Sequence, residues 1–261
     1  MEDFLKLERE GAIALVTMNR PHTRNALSDE DVAEAFERCC ATLNADLSVR
    51  VAVLTGAGAA FSSGGNLKTL AGSVGAGLGE PVLSRHAYRD GIQRIPRVLC
   101  NLEVPTIAAV NGAAYGAGND LACMCDIRIC SEDAVFAESF VRLGLTPGDG
   151  GAWLLPRAIG LSRACEMSFT GEPIDAQQAY AWGLVSRVVP AGELMPAALE
   201  LARRIAVNPG PALRMTKRLI REGMHTRLDS LLEMSAAMQA LAHHTAEHGA
   251  ALEAALHRLS R

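Results

Sequence analysis

The stretch VPTIAAVNGAAYGAGNDLA, Val104 to Ala122, decides how the rest of the chain is read. Pro105 to Val110 is a continuous run of mostly apolar residues ended by Asn111-Gly112, which suits a strand covered on both faces. Gly116-Ala117-Gly118 then opens a helix that runs to about Met124. The same order has occurred once before. Val51 to Thr55 reads as a buried strand, Gly56 to Gly65 as a glycine- and serine-rich loop, and a helix is expected near Leu67. Strand-to-helix turns of this kind expose backbone N–H groups, and a helix N-terminus adds partial positive charge to each. Two of them aimed at one oxygen make an oxyanion hole, in which each donor contributes roughly 3 to 4 kcal/mol toward developing charge. Spacing alone leaves a second reading equally open, in which the glycines only make tight turns.

Outward from these turns, Phe4 to Glu8 and Ala12 to Met18 read as two strands around Gly11. Asn19 to Leu27 is a polar loop containing Pro21, and Ser28 is expected to cap a helix through about Asn44. Residues 71–80, with Gly72, Gly75, Gly77 and Gly79, hold little that packs and read as the most flexible stretch, ahead of helical periodicity over Ser84 to Leu102. Short strands are expected at Ile127 to Cys130, Val135 to Ala137 and Leu184 to Val189, and a helix at Trp153 to Ile159. Leu194 to Arg261 reads as nearly all helix, broken at Asn208-Pro209-Gly210-Pro211. The result is an α/β core over residues 1–193 and a helical region over 194–261.

Composition narrows the function classes. With 49% apolar and 21% charged residues, 261 residues can bury a sizeable core. A net charge of −4 argues against a nucleic-acid surface spread over the whole protein. Met1 to Glu10 is charged where a secretory signal needs an apolar run, and nothing approaches the roughly 18 apolar residues of a membrane span. A soluble, cytoplasmic protein with no membrane partner is expected. The seven cysteines lack framework spacing, and Cys123 and Cys125 lie in an apolar run, so they read as buried structural thiols rather than metal ligands. His244 and His248 are spaced to share a metal on one helix but lack a third ligand, so no metal site is expected. Gly56-x-Gly58 after a strand resembles the start of a dinucleotide fingerprint, yet Phe61 occupies its third glycine position. No G-x-x-x-x-G-K-[S/T] phosphate loop and no G-x-S-x-G elbow occurs either.

The quoted segment Val104 to Ala122 resembles the signature of the crotonase superfamily, the enoyl-CoA hydratase/isomerase family. AFSSGGNLK, residues 60–68, resembles that family's other oxyanion segment. The likeness extends from Asn19-Arg-Pro through Leu143-Gly-Leu-Thr-Pro-Gly, Leu155-Pro-Arg, Thr170-Gly and Ala181-Trp-Gly-Leu-Val to Asn208-Pro and Lys217, nearly the whole chain. It implies an α/β crotonase-like spiral of ββα repeats with a helical C-terminal trimerisation region, assembled as a homotrimer or homohexamer. It also implies an acyl-CoA thioester as substrate, with CoA as part of the substrate and no metal or redox cofactor.

Carried over residue by residue, the family's oxyanion N–H groups fall on Ser63 and on Ala117, where the hydratases usually have Gly. The CoA-binding surface falls on Arg24, Ala26 and Leu27 and on Ser62, Ser63, Gly64, Gly65, Asn66 and Leu67, with Lys217 or Arg218 as partners for a CoA phosphate. Asp120 stands where the hydratases carry one catalytic Glu, and Phe140 stands where they carry the other. Phe can neither hold water nor move a proton. Asp149, in Pro147-Gly-Asp-Gly-Gly, is the compensating candidate, with capping of the helix that begins near Gly151 as the plain alternative. Glu138 reads as a weaker third candidate, a strand residue facing solvent or a neighbouring subunit. The resemblance therefore implies hydration of a 2-enoyl-CoA to a 3-hydroxyacyl-CoA, with double-bond isomerisation next. Behind these stand thioester hydrolysis, decarboxylation or dehalogenation, and a non-catalytic acyl-CoA- or RNA-binding homologue.

Overall fold

The computed structural model describes residues 3–67, 71 and 80–260. β1 (Leu5–Glu10) and β2 (Ile13–Met18) pair antiparallel, Leu5 opposite Met18, around Gly11 at φ +58°. α1 (Glu30–Ala45) follows the polar loop. Ser28 does not cap it; its Oγ instead accepts the Asn66 N–H at 2.9 Å, and Asp29 takes the N-cap position.

Three times the chain then makes the same move, from a strand of one sheet through a short turn to a strand of a second. The pairs are β3 (Val51–Gly56) with β4 (Ala60–Ser62), β5 (Thr106–Val110) with β6 (Ala113–Tyr115), and β7 (Ile127–Ser131) with β8 (Val135–Ala137). Like strands stack in parallel: β2, β3, β5 and β7 in one sheet, and β4, β6 and β8 in the other. β9 (Ile174–Asp175) closes the second sheet antiparallel to β8, and β10 (Arg187–Val189) closes the first parallel to β7. This is the α/β spiral of repeats that the sequence led us to expect. β4 and β6, at three residues each, are too short to show a period of two and lie where loops are read.

Between and after the strands run α2 (Pro81–Asp90), α3 (Arg94–Cys100), α4 (Ala117–Met124), α5 (Gly151–Ile159), α6 (Leu161–Thr170) and α7 (Ala176–Trp182). Gly91 to Gln93 breaks the single helix expected over Ser84 to Leu102. The stretch read as flexible, and most of the helix expected near Leu67, lie outside the described residues. The C-terminal region holds α8 (Leu194–Ala206), α9 (Gly210–Gly223), α10 (Leu228–His243) and α11 (Ala246–Leu259). His244 and His248 fall on opposite sides of the α10–α11 turn, where His243 Nδ1 lies 3.2 Å from His248 Nε2.

Alternation along the parallel strands sorts the core into two layers. Val51, Val53, Ile107, Ala109 and Ile129 pack on Leu194, Ala198 and Ala202 of α8, while Ala52, Leu54, Ala108 and Val110 face the main core with α1, α3 and α4. Truncating any large side chain in these layers costs about 2 to 5 kcal/mol. That rigidity holds the turns between the two sheets in place.

Candidate active site

The two glycine turns meet backbone to backbone. A Cβ on Gly64 would run into Tyr115 O and lie 3.0 Å from Ala117 N, and one on Gly118 would run into Ser62 O. Both must be glycine for the segments to close, and Gly64 also stands at φ +73°. The loop 62–66 is laced to the loop 20–28: Leu27 N–H donates to Gly64 O at 2.8 Å, Ser62 Oγ to Asn25 O at 2.8 Å and Ser63 Oγ to Thr23 O at 3.2 Å. Asn25 is fully buried at φ +54°, and its Nδ2 reaches the carbonyls of Ala57, Ala60 and Phe61. The segments assigned to CoA, Arg24 to Leu27 and Ser62 to Leu67, therefore lie side by side.

Hydrogen-bond accounting moves one oxyanion donor. Ser63 N–H is committed to Arg24 O at 2.9 Å, Gly64 N–H to Ser62 Oγ at 3.1 Å and Asn66 N–H to Ser28 Oγ at 2.9 Å. Gly65 N–H is left without a partner among the described residues, so the free N–H of this turn is that of Gly65 and not that of Ser63, where it was expected. Ala117 N–H is free as well. Ala117 is the first residue of α4, its N–H has no carbonyl one turn back, and Gly116 at φ +52° bends the chain into the helix.

Three carboxyl groups converge beside these donors. Asp120 lies in the first turn of α4 at 0% exposure, Glu138 follows β8 at 1%, and Asp149 precedes α5 at 4%. Asp120 Oδ1 and Oδ2, Glu138 Oε2 and Asp149 Oδ1 have no hydrogen-bond donor among the described residues. Burial pushes Asp120 well above the usual carboxylate range, and the charges of Glu138 and Asp149 push it further. Burial also raises Glu138 and Asp149, but proton sharing with Asp120 works against the rise in both. At Asp120, then, burial and both neighbours act in one direction, toward the protonated form. Gly151 makes room for it, since any Cβ there would collide with the Asp120 carboxylate. Asp149 does not cap α5: Gly150, at φ +116°, holds the N-cap position without a side-chain bond.

Glu138 corrects an expectation, because it faces inward and not solvent. Its Oε1 accepts Asn119 Nδ2 at 2.7 Å. Phe140 packs its ring over Gly116, 3.4 Å from where a Cβ would stand, at the entry to α4.

A family model, Enoyl-CoA hydratase/isomerase, matches residues 8–257. The chain belongs to the enoyl-CoA hydratase/isomerase family. It is 37% identical over 229 residues to the short-chain-enoyl-CoA hydratase of Clostridium acetobutylicum, covering 87% of this chain and 84% of that one. It is 35% identical over 260 residues to the 1,2-epoxyphenylacetyl-CoA isomerase of Escherichia coli, covering 100% and 98%. The enoyl-CoA hydratase of Bacillus anthracis superposes with a TM-score of 0.90 at 33% identity, over 98% of this chain and 96% of that one.

Within this enoyl-CoA hydratase/isomerase scaffold, Lys217 is not available to a CoA phosphate. It is 7% exposed, its Nζ lies 2.8 Å from Asp126 Oδ2, and it donates to Val104 O at 2.7 Å. Burial alone would raise Asp126, but Lys217 and Arg221 outweigh it and hold the carboxyl low; burial pulls the Lys217 ammonium down. Withdrawing Lys217 would leave a buried carboxylate short of a partner. Arg218, the alternative, is exposed and pairs with Glu222 at 2.5 Å. Cys123 and Cys125 are buried free thiols that burial pushes up to about 12 and about 11.

Proposed function

We propose that the enzyme hydrates a 2-enoyl-CoA to the 3-hydroxyacyl-CoA. The observation that carries this is that the turn holding the free Gly65 N–H closes on the start of α4, where the Ala117 N–H is also free, with the buried carboxyls of Asp120, Glu138 and Asp149 gathered there. The thioester oxygen sits between the two N–H groups. Water attacks C3 as Asp149 takes its proton, the π electrons move to the thioester oxygen as an enolate, and Asp120 delivers its proton to C2 as the carbonyl re-forms. The cluster gains one proton from water and gives one to carbon, so charge balances. Asp149 supplies the second carboxyl that Phe140 cannot. The N–H pair and the carboxyls supply every charge and proton these steps require, so the reading needs no metal or redox cofactor. CoA enters as part of the substrate, along Arg24 to Leu27 and Ser62 to Leu67.

Double-bond isomerisation is the second reading, favoured by one observation: Asp120 and Asp149 are both buried in one cluster, each with a carboxyl oxygen that has no donor among the described residues. Such a pair can lift a proton from C2 of a 3-enoyl-CoA and return one at C4. The C-terminal helices support a homotrimer or homohexamer, because α10 and α11 bury no residue in the single chain and expose Leu228, Leu232, Leu241, Leu252, Leu256 and Leu259. No helix among the described residues is long and apolar enough to cross a membrane.

Crotonyl-CoA and a 3-enoyl-CoA in deuterated water, followed by mass spectrometry and NMR, test these readings. Formation of 3-hydroxyacyl-CoA carrying deuterium at C2, reduced about 10²- to 10⁴-fold in Asp120→Asn and Asp149→Asn, is expected. Deuterium at C4 without hydration replaces hydration by isomerisation. Absence of any exchange, with CoA still bound, overturns both.

A further inference from the structure

Glu138 is buried beside the proposed acid, yet the proposed steps do not use it. It meets two consecutive residues of the first turn of α4. One oxygen accepts the Asn119 amide at 2.7 Å, and the other is buried without a donor among the described residues, as are both oxygens of the neighbouring Asp120. Asn119 is itself 0% exposed, so its amide cannot swing to another partner without opening the core. A buried carboxylate set against a second buried carboxyl is tolerated when a proton lies between them and a neighbouring donor holds one of the pair in place. The chain Asn119, Glu138, Asp120, Asp149 has that form.

We propose that Glu138 is a positioning residue: held by Asn119, it shares a proton with Asp120 and so keeps Asp120 in the acid form from which it protonates the substrate carbon. The catalytic half rests on the enolate reading above; the proton sharing does not. The titratable groups acting on Glu138 among the described residues are Asp120 from α4 and Asp149 from the turn before α5. The Cys123 thiol of α4, which feels Glu138, stays neutral because burial pushes it up to about 12. Asp149 opposes charge on Glu138 while Asp120 and the Asn119 amide favour it, and no cation is among the acting groups. When Asp120 gives its proton to carbon, the charge it acquires lies beside Glu138. That repulsion favours prompt recovery of the proton that Asp149 has taken from water.

The test is Glu138→Gln, which can still accept the Asn119 amide while turning an N–H toward Asp120. An N–H there stabilises the Asp120 carboxylate and removes a like charge, so the Asp120 proton should leave at lower pH. Carbon-13 NMR of labelled aspartate side chains, without substrate, should show the Asp120 midpoint falling by about one pH unit or more. The alkaline limb of the kcat profile should fall with it. Asn119→Ala frees Glu138 from its orientation and should move both in the same direction by less. An Asp120 midpoint and an alkaline limb that stay in place in Glu138→Gln, whatever happens to stability or to kcat itself, overturn the proposal. A midpoint that moves in a protein forming no deuterated thioester upholds the proton sharing and removes the enolate chemistry instead.

Discussion

Asp120 carries its proton into the folded state because nothing around it is built to receive a charge. The ordinary carboxyl value is 3.8, burial lifts it far above that, and two neighbouring carboxyls lift it further. The unfolded chain therefore releases this proton above about pH 4 while the folded chain keeps it, and native stability is lost as pH rises toward the folded value. Asp120→Asn removes that dependence, and its amide offers hydrogens to Glu138 and Asp149. The variant should match the wild type in Tm near pH 4 and exceed it near pH 7, the gap widening as pH rises, in thermal melts by circular dichroism. A gap that is flat or widest in acid would show Asp120 to be ionised in the native protein. The family resemblance pointed to Asp120, at the position of a catalytic Glu one turn past Ala117, and to Asp149 in the Pro147 to Gly151 turn. Glu138 was assigned to the wrong face, because the side on which a residue just past a three-residue strand is buried depends on α4 folding over it. The expected donor, Ser63, lies two residues before the free N–H for a similar reason: only the three-dimensional lacing to Arg24, Ser62 and Ser28 shows which amides are already taken.

The turns between the two sheets hold the donors, and their geometry depends on backbone contacts that leave no room for Cβ. Gly64→Ala would drive a methyl group into Tyr115 O at a φ of +73°, so the loop 62–66 must move away from Ala117. Loss of one aligned donor lowers kcat about 10²- to 10³-fold. Gly144 is the matched control: its φ is +67° but nothing lies within 4 Å of a Cβ there. Gly144→Ala should cost about 1 kcal/mol of stability from the backbone conformation and leave kcat nearly unchanged. Steady-state hydration of crotonyl-CoA by the two variants checks this, and equal losses of kcat would mean that the Gly64 contact does not set the donor geometry. The long buried strands β3 and β5 and the helix from Ala117 to Met124 were legible in the sequence, because continuous apolar runs bounded by glycine have few other meanings. The β4 and β6 strands were not, since three residues exhibit no period, and their pairing depends on the repeat stacking in parallel.

Across the whole molecule, α9 acts as a cationic strap over the ends of three other helices. Arg214 donates to the carbonyls of Leu43, Asn44 and Asp46 at the end of α1; Arg221 donates to Leu99 and Cys100 at the end of α3 and to Met124 at the end of α4. Helix C-termini leave such carbonyls unpaired and carry partial negative charge, so two arginines on one helix satisfy several at once. Lys217 sits between the two arginines, against Asp126, whose other contacts fasten the start of β5 through Thr106 N–H and Oγ1. A family likeness at Lys217 suggested a phosphate partner, since sequence shows a cation's presence but not the carboxylate folded against it. Lys217→Met keeps the bulk, removes the charge, leaves Val104 O without that donor and takes one cation from Asp126, whose Oδ2 keeps only the Thr106 N–H and Oγ1. Breaking a buried pair in this way costs about 3 to 5 kcal/mol, at the lower end here because Arg221 still holds Asp126. Urea unfolding should show a midpoint lowered accordingly with an unchanged slope. The ratio of affinities for CoA and for CoA lacking its 3′-phosphate should match the wild type in the folded variant. A ratio that collapses toward one while stability holds would return Lys217 to the phosphate and remove it from the strap.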